Sequence, residues 1–241
     1  MANLLTITRR EIGAFFGSPI FWVLATAFMV FSGFVFSIIV TRPGAQADML
    51  PLLGLYGTVL LFVAPLMSMR LLAEEQRSGT LELLMTSPVD DWQVVWGKWL
   101  GALFMLGVII ALTLFHVAVM LRLATEGIDV GPLAGSYLGL VLLGAALLAI
   151  GVLTSSVTQN QVVAGFLAIM AVLILWFLPL GEQVFGSDSA LGSTLGYLGL
   201  SDHYFNFGQG LIDSRDVVYM LSLIAGSLFL ATRILESRRW R

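Results

Sequence analysis

Residues 98–121 read KWLGALFMLGVIIALTLFHVAVML, one lysine followed by an apolar run whose only polar side chains are Thr113 and His116. A helix that crosses the hydrocarbon core of a bilayer needs about 20 mostly apolar residues, and Lys98–Leu121 supplies them. Five further stretches qualify: Pro19–Val40, Leu52–Leu72, Gly135–Ser155, Gln161–Leu180 and Val217–Leu235. Composition points the same way. Hydrophobic residues make up 58% of the 241 and charged residues 11%, with a mean hydropathy of +0.94. A soluble domain carries roughly 25% charge, so the expected fold is an all-α integral membrane protein with six spans in one domain, 1–241. The absence of cysteine excludes disulfides, thiolate metal sites and cysteine nucleophiles. The small net charge of −3 gives no reason to expect a nucleic-acid partner.

Lysine and arginine near span ends set orientation. With the N-terminus inside, the inner segments hold nine of the twelve (Arg9, Arg10, Arg70, Arg77, Lys98, Arg233, Arg238, Arg239 and Arg241), and the outer ones hold Arg42, Arg122 and Arg215. Both termini are therefore expected in the cytoplasm. Arg9-Arg10, the following apolar run and Ala45-Gln46-Ala47 loosely imitate a cleaved leader. The run of about 20 residues exceeds the usual 7–15 of a signal core, which favours a retained span.

Residues 1–17 alternate apolar and polar side chains, as suits a helix lying in the inner interface. Ser18-Pro19 restarts the chain as the first span. The inner segment 73–97 begins as an extension of the second span, Glu74-Glu75-Gln76-Arg77, with Arg70 and Glu74 spaced to pair. Ser78-Gly79 breaks it, and Thr80 is placed to cap a short helix, Leu81-Glu82-Leu83-Leu84-Met85-Thr86, which Ser87-Pro88 ends. Pro88 is the first residue of the following helix, which carries Trp92, Trp96 and Trp99, expected at headgroup level. Composition alone fits an ordinary membrane-surface loop equally well.

Residues 74–88, EEQRSGTLELLMTSP, closely resemble a signature of ABC-2-type permeases. Arg10-Glu11 with Ser18-Pro19-Ile20 resembles the start of the same family. His203, Phe207, Gly210, Ile212-Asp213, Asp216 and Tyr219, then residues 235–240 (LESRRW), resemble its gliding-motility type, with the permease of nitrous-oxide-reductase maturation a related alternative. The resemblance implies a bacterial cytoplasmic-membrane permease that couples ATP hydrolysis to substrate movement or to extracytoplasmic remodelling. It implies two copies of a cytoplasmic ABC ATPase that bind ATP and Mg, a second copy of the permease or a related one, and a larger membrane companion with an extracytoplasmic domain. The 73–97 loop would carry the coupling helix. Leu81, Leu83 and Leu84 would dock by apolar contact, Glu74, Glu75, Arg77 and Glu82 would set register, Gly79 would allow the turn and Thr80 would start the helix.

A phosphate loop requires G-x-x-x-x-G-K-[ST]. The one lysine, in Gly97-Lys98-Trp99, has no such setting, so the nucleotide chemistry is assigned to another polypeptide. His116 lies within a span, where an ionisable side chain is either a pathway group or a helix-packing group. No other ionisable residue sits deep in a span, which weakens an ion-driven secondary transporter without excluding it; a non-transporting membrane anchor is also open. The outer segment 181–216 is expected to form a helical hairpin. Within it His203, Asp202 and Asp213 lack metal-ligand spacing, and Asp213 and Asp216 suit a cap and capping box for the last span. No catalytic residues and no metal site are expected.

Overall fold

The computed structural model describes residues 2–41, 49–80, 90–123, 129–210 and 212–238. Every regular element among them is helical. In chain order they are α1 (Ala2–Phe16), α2 (Pro19–Thr41), α3 (Leu50–Ser68), α4 (Ala73–Ser78), α5 (Asp91–Leu123), α6 (Val130–Val157), α7 (Gln161–Phe177), α8 (Leu180–Phe185), α9 (Ala190–Tyr197), α10 (Leu200–Asn206), a 3₁₀ turn (Phe207–Gln209) and α11 (Ser214–Arg238). Asp129 opens α6 by accepting from the Gly131 N–H, and Asn160 opens α7 by accepting from Val162 and Val163, each meeting backbone donors that a helix start leaves open.

Among the described residues, five segments are long and apolar enough to cross a membrane: Pro19–Thr41, Leu50–Ser78, Asp91–Leu123, Val130–Val157 and Ser214–Ser237. α7 has 17 residues, about 25 Å against a hydrocarbon core of about 30 Å. Pro179, which has no N–H to donate, stands between it and α8, so the expected span to Leu180 is shorter than its apolar run. α6 is the central helix, with 72% of its apolar window buried against 22% for α2. At the start of α5, Trp92 is exposed, whereas Trp99 is buried and donates from Nε1 to the Ala145 carbonyl of α6 at 3.0 Å, so Trp99 packs two helices together.

The second span is not continuous. Pro65 lies inside α3 and the helix stops at Ser68, resuming as α4 five residues later. Backbone groups freed by such a break must be matched, because hydrocarbon offers no partners. Ser155, near the end of α6, matches them. Its hydroxyl accepts from the Leu72 and Ala73 N–H groups at 3.0 and 2.9 Å and donates to the Met69 carbonyl at 3.0 Å, using its one donor and both acceptor sites. Gln76 adds bonds to the Ser155 and Ser156 carbonyls.

At the opposite end of the bundle, α10 and the 3₁₀ turn fold back onto the spans, and α8 and α9 pack on each other. Tyr204 lies over Gly57 of α3 so closely that a β-carbon there would overlap its ring, and Phe207 contacts Gly139 of α6 in the same way. Tyr204 donates to the Leu53 carbonyl at 2.6 Å, and Trp176 of α7 packs against Tyr204 and Phe205. Burial raises the Tyr204 hydroxyl above the ordinary tyrosine range, partly offset by the Gly57 backbone, so it stays a donor. Gly57→Leu is expected to displace this segment and cost about 1–3 kcal/mol. Gly107→Ala, which meets nothing within 4 Å, is expected to leave the melting temperature unchanged or slightly raised; thermal unfolding of the purified variants checks both.

Candidate functional site

The residues expected to engage a partner begin on α4. Glu74 and Arg77 are exposed there, and Gly79, with φ +71°, ends the helix in the left-handed region that glycine tolerates. Thr80 lies within hydrogen-bond distance of Ser78 at 2.8 Å. Leu81, Glu82, Leu83 and Leu84 fall in 81–89, outside the described residues. The next described helix, α5, starts at Asp91. The two stems of this segment, α4 and α5, are therefore visible and their surroundings decide what it is attached to.

Those surroundings are ionic. Lys98 is 2% exposed in its side chain, and its Nζ meets Glu11 Oε1 at 2.8 Å and Glu75 Oε1 at 2.9 Å. Arg10 reaches the same two carboxylates, Glu75 at 2.8 Å and Glu11 at 3.3 Å. Two cations and two carboxylates thus form a charge-balanced cluster joining α1, α4 and α5. Sequence helps explain why it forms. Ile7, Glu11 and Phe15 lie four residues apart on one stripe of α1 and are buried, and they face Gly97 and Gly101 of α5, where Ile7 and Glu11 sit closer than any β-carbon would permit. Glu75 is engaged inside the chain, while Glu74 and Arg77 point outward. Arg70 does not pair with Glu74. It donates to the Ser18 hydroxyl and lies over the Phe15 ring at 4.8 Å, binding the α1–α2 corner. Three buried acceptors on the two stems, Glu75 Oε2, Gln76 Oε1 and Gln93 Oε1, have no partner among the described residues.

The cluster is the functional feature that sequence reasoning missed. A signal was present. A lone lysine at the threshold of an apolar span needs a buried counter-charge, and Arg10-Glu11 and Glu74-Glu75 were the charged candidates at the same membrane edge.

His116 is 4% exposed. Its Nδ1 is 3.0 Å from the Tyr56 hydroxyl and its ring is 4.8 Å from that of Phe36, so it contacts both α2 and α3 from α5. At the other end of the bundle, His203 and Asp216 come together and Asp213 stays apart. His203 Nδ1 meets Asp216 Oδ1 at 2.6 Å, Nε2 donates to the Tyr197 carbonyl at 2.9 Å, and the ring stacks on Tyr219 at 3.9 Å. Asp213 accepts from the Arg215 N–H at 2.8 Å, as expected of a cap. Asp216 does not complete a capping box, because the imidazole offers its carboxylate a partner between two packed elements.

The stretch containing α3, α4, the 81–89 segment and α5 to α7 is also where the chain matches a known family. A family model described as ABC-2 family transporter protein matches residues 44–186, more than half of the sequence. The chain belongs to the ABC-2 transporter family. It is a multi-pass membrane protein and a permease-type component, and membership implies an ABC ATPase as partner. No curated protein matches it.

Removing one member of a buried ionic cluster leaves its partner charges unmatched, at about 3–5 kcal/mol. Lys98→Met is therefore expected to lower the melting temperature sharply, and adding Glu11→Gln and Glu75→Gln to it should recover most of the loss. A melt of the single and triple variants in the same detergent tests this directly.

Proposed function

We propose that this chain is the membrane-spanning subunit of an ATP-driven ABC-2-type permease. Six spans (α2, α3, α5, α6, α7 and α11) cross a bacterial cytoplasmic membrane, α1 lies in the cytoplasmic interface, and the 73–97 loop carries the coupling helix that docks on a separate ATPase. The observation that carries this is the Lys98–Glu11–Glu75–Arg10 cluster. It fastens both stems of 81–89 to α1 and to each other, so a force applied to that segment reaches the second and third spans together. The positive-inside bias supports placing this end in the cytoplasm, and the apolar run 161–180 supports counting α7 as the fifth of the six spans.

In this reading Glu75 is a positioning residue that holds the stem. Glu74 and Arg77 remain free for register, Glu82 joins them, and Leu81, Leu83 and Leu84 supply the apolar anchor. The unpartnered acceptors at Glu75, Gln76 and Gln93 leave room for donors to arrive when the segment is engaged. ATP and Mg belong to the two ATPase copies. The pairing of this subunit with itself or a related permease, and a companion with an extracytoplasmic domain, follow from the gliding-type resemblance. That resemblance rests partly on Arg10, Glu11, His203, Asp213 and Asp216, outside the matched segment.

The test is co-purification of a tagged chain with an ABC ATPase, together with the rate of ATP hydrolysis of the complex. Leu84→Arg and Glu82→Arg are expected to weaken association by about tenfold or more, the scale of a central interface residue, with the melting temperature of the free chain unchanged. Intact association would remove the docking assignment. Substrate movement persisting without any ATPase would instead make the chain a secondary transporter.

A further inference from the structure

Between the start of α3, the first turns of α6 and the folded-back segment lies a cavity of about 240 Å³. Its body is apolar, formed by Leu50, Leu53, Gly54 and Phe205, and its polar groups are Ser136 and Gln209. Ser136 is 5% exposed and lines the cavity. A hydroxyl that lines a cavity can bond to what enters it. Water is a poor candidate, because an ordered water needs two to four polar partners and this lining is mostly hydrocarbon.

The cavity has an exposed apolar rim. Phe205 is 50% exposed, and Leu50, 36% exposed, is the first residue of the second span. Apolar surface at that depth is in contact with acyl chains at the concentration of the bilayer itself. The volume is below the roughly 300–1,000 Å³ of a site that encloses a drug-sized molecule, so it suits part of one chain and not a whole amphiphile.

We propose that this cavity holds the upper part of a single acyl chain of a phospholipid from the adjoining leaflet, with its ester carbonyl accepting from the Ser136 hydroxyl and the Gln209 amide. The chain's first methylenes lie along Leu53, Gly54 and the Phe205 ring. Occupancy fills a void that would otherwise forgo dispersion contacts on all sides, and it props the folded-back segment against α3 at the point where Tyr204 holds it.

The experiment uses the intact chain in phosphatidylcholine vesicles doped with a phosphatidylcholine that carries a diazirine in the first third of one acyl chain. After irradiation, labelled residues are located by mass spectrometry. Label is expected to concentrate on Leu53 and Phe205 above the level at Phe166 and Ile174, which are 63% and 60% exposed on α7 and report ordinary lipid contact. Gly208, whose added β-carbon would stand 3.6 Å from both Leu50 and the Ser136 hydroxyl, can carry a side chain into the space; Gly208→Leu should bring the label at Leu53 down to the α7 level. Ser136→Ala should reduce it about fivefold, the factor of one net hydrogen bond. Wild-type label at Leu53 and Phe205 no higher than on α7 would overturn the proposal. So would label unchanged in Gly208→Leu, or enrichment seen with a free diazirine fatty acid but not with the phospholipid.

Discussion

An ammonium group withdrawn from water has to be matched at contact distance, and the match at Lys98 sets the geometry of one whole end of this molecule. Two carboxylates from different helices reach it at 2.8 and 2.9 Å, and Arg10 closes the charge balance. None of these groups can leave alone without stranding a buried charge. The relative positions of α1, α4 and the first turns of α5 are therefore fixed together. The Arg70 guanidinium, spread over Phe15 and bonded to Ser18, fixes the α1–α2 corner in the same region, so the end of the bundle is a ring of polar ties around an apolar interior.

The backbone obeys the same rule as the side chains. Pro65 precedes a break in α3 that leaves amides with no helical partner in a setting where water is absent. Ser155 answers with a hydroxyl used at every site it has. Beyond the break, α4 carries the Glu75 that meets Lys98, so a serine of α6 holds the junction between the second span and the helix of the ionic cluster.

Hydropathy made the spans legible because the bilayer imposes a length that few other constraints can imitate. One boundary moved where a local feature won: α7 stops at Phe177 because Pro179 interrupts a run that is still apolar. Gly79 was readable as a turn, since a left-handed residue there calls for glycine. The pairings were not readable. Lys98 with Glu11, His203 with Asp216 and Ser155 with the α3 break join residues far apart in the chain, and nothing in periodicity selects one partner over another. Asp216 shows the limit well: at the third position of a helix a carboxylate suits a capping box, and only the fold reveals that an imidazole has taken it.

α3 is the element that joins these observations. Near its start, Leu53 and Gly57 hold Tyr204 and border the apolar cavity. At its end, the kink and α4 lead to the ionic cluster. α6 lies beside it along the way, gripping the break through Ser155 and the folded-back segment through Gly139 and Phe207. A displacement entering at the stems of 81–89 is resisted at the α3–α6 contact, where polar bonds are saturated and packing is close. On the proposed reading, a displacement at the ATPase side reaches the second span at its break, where Ser155 holds it, and passes along α3 to the Tyr204 seat and the cavity beside it.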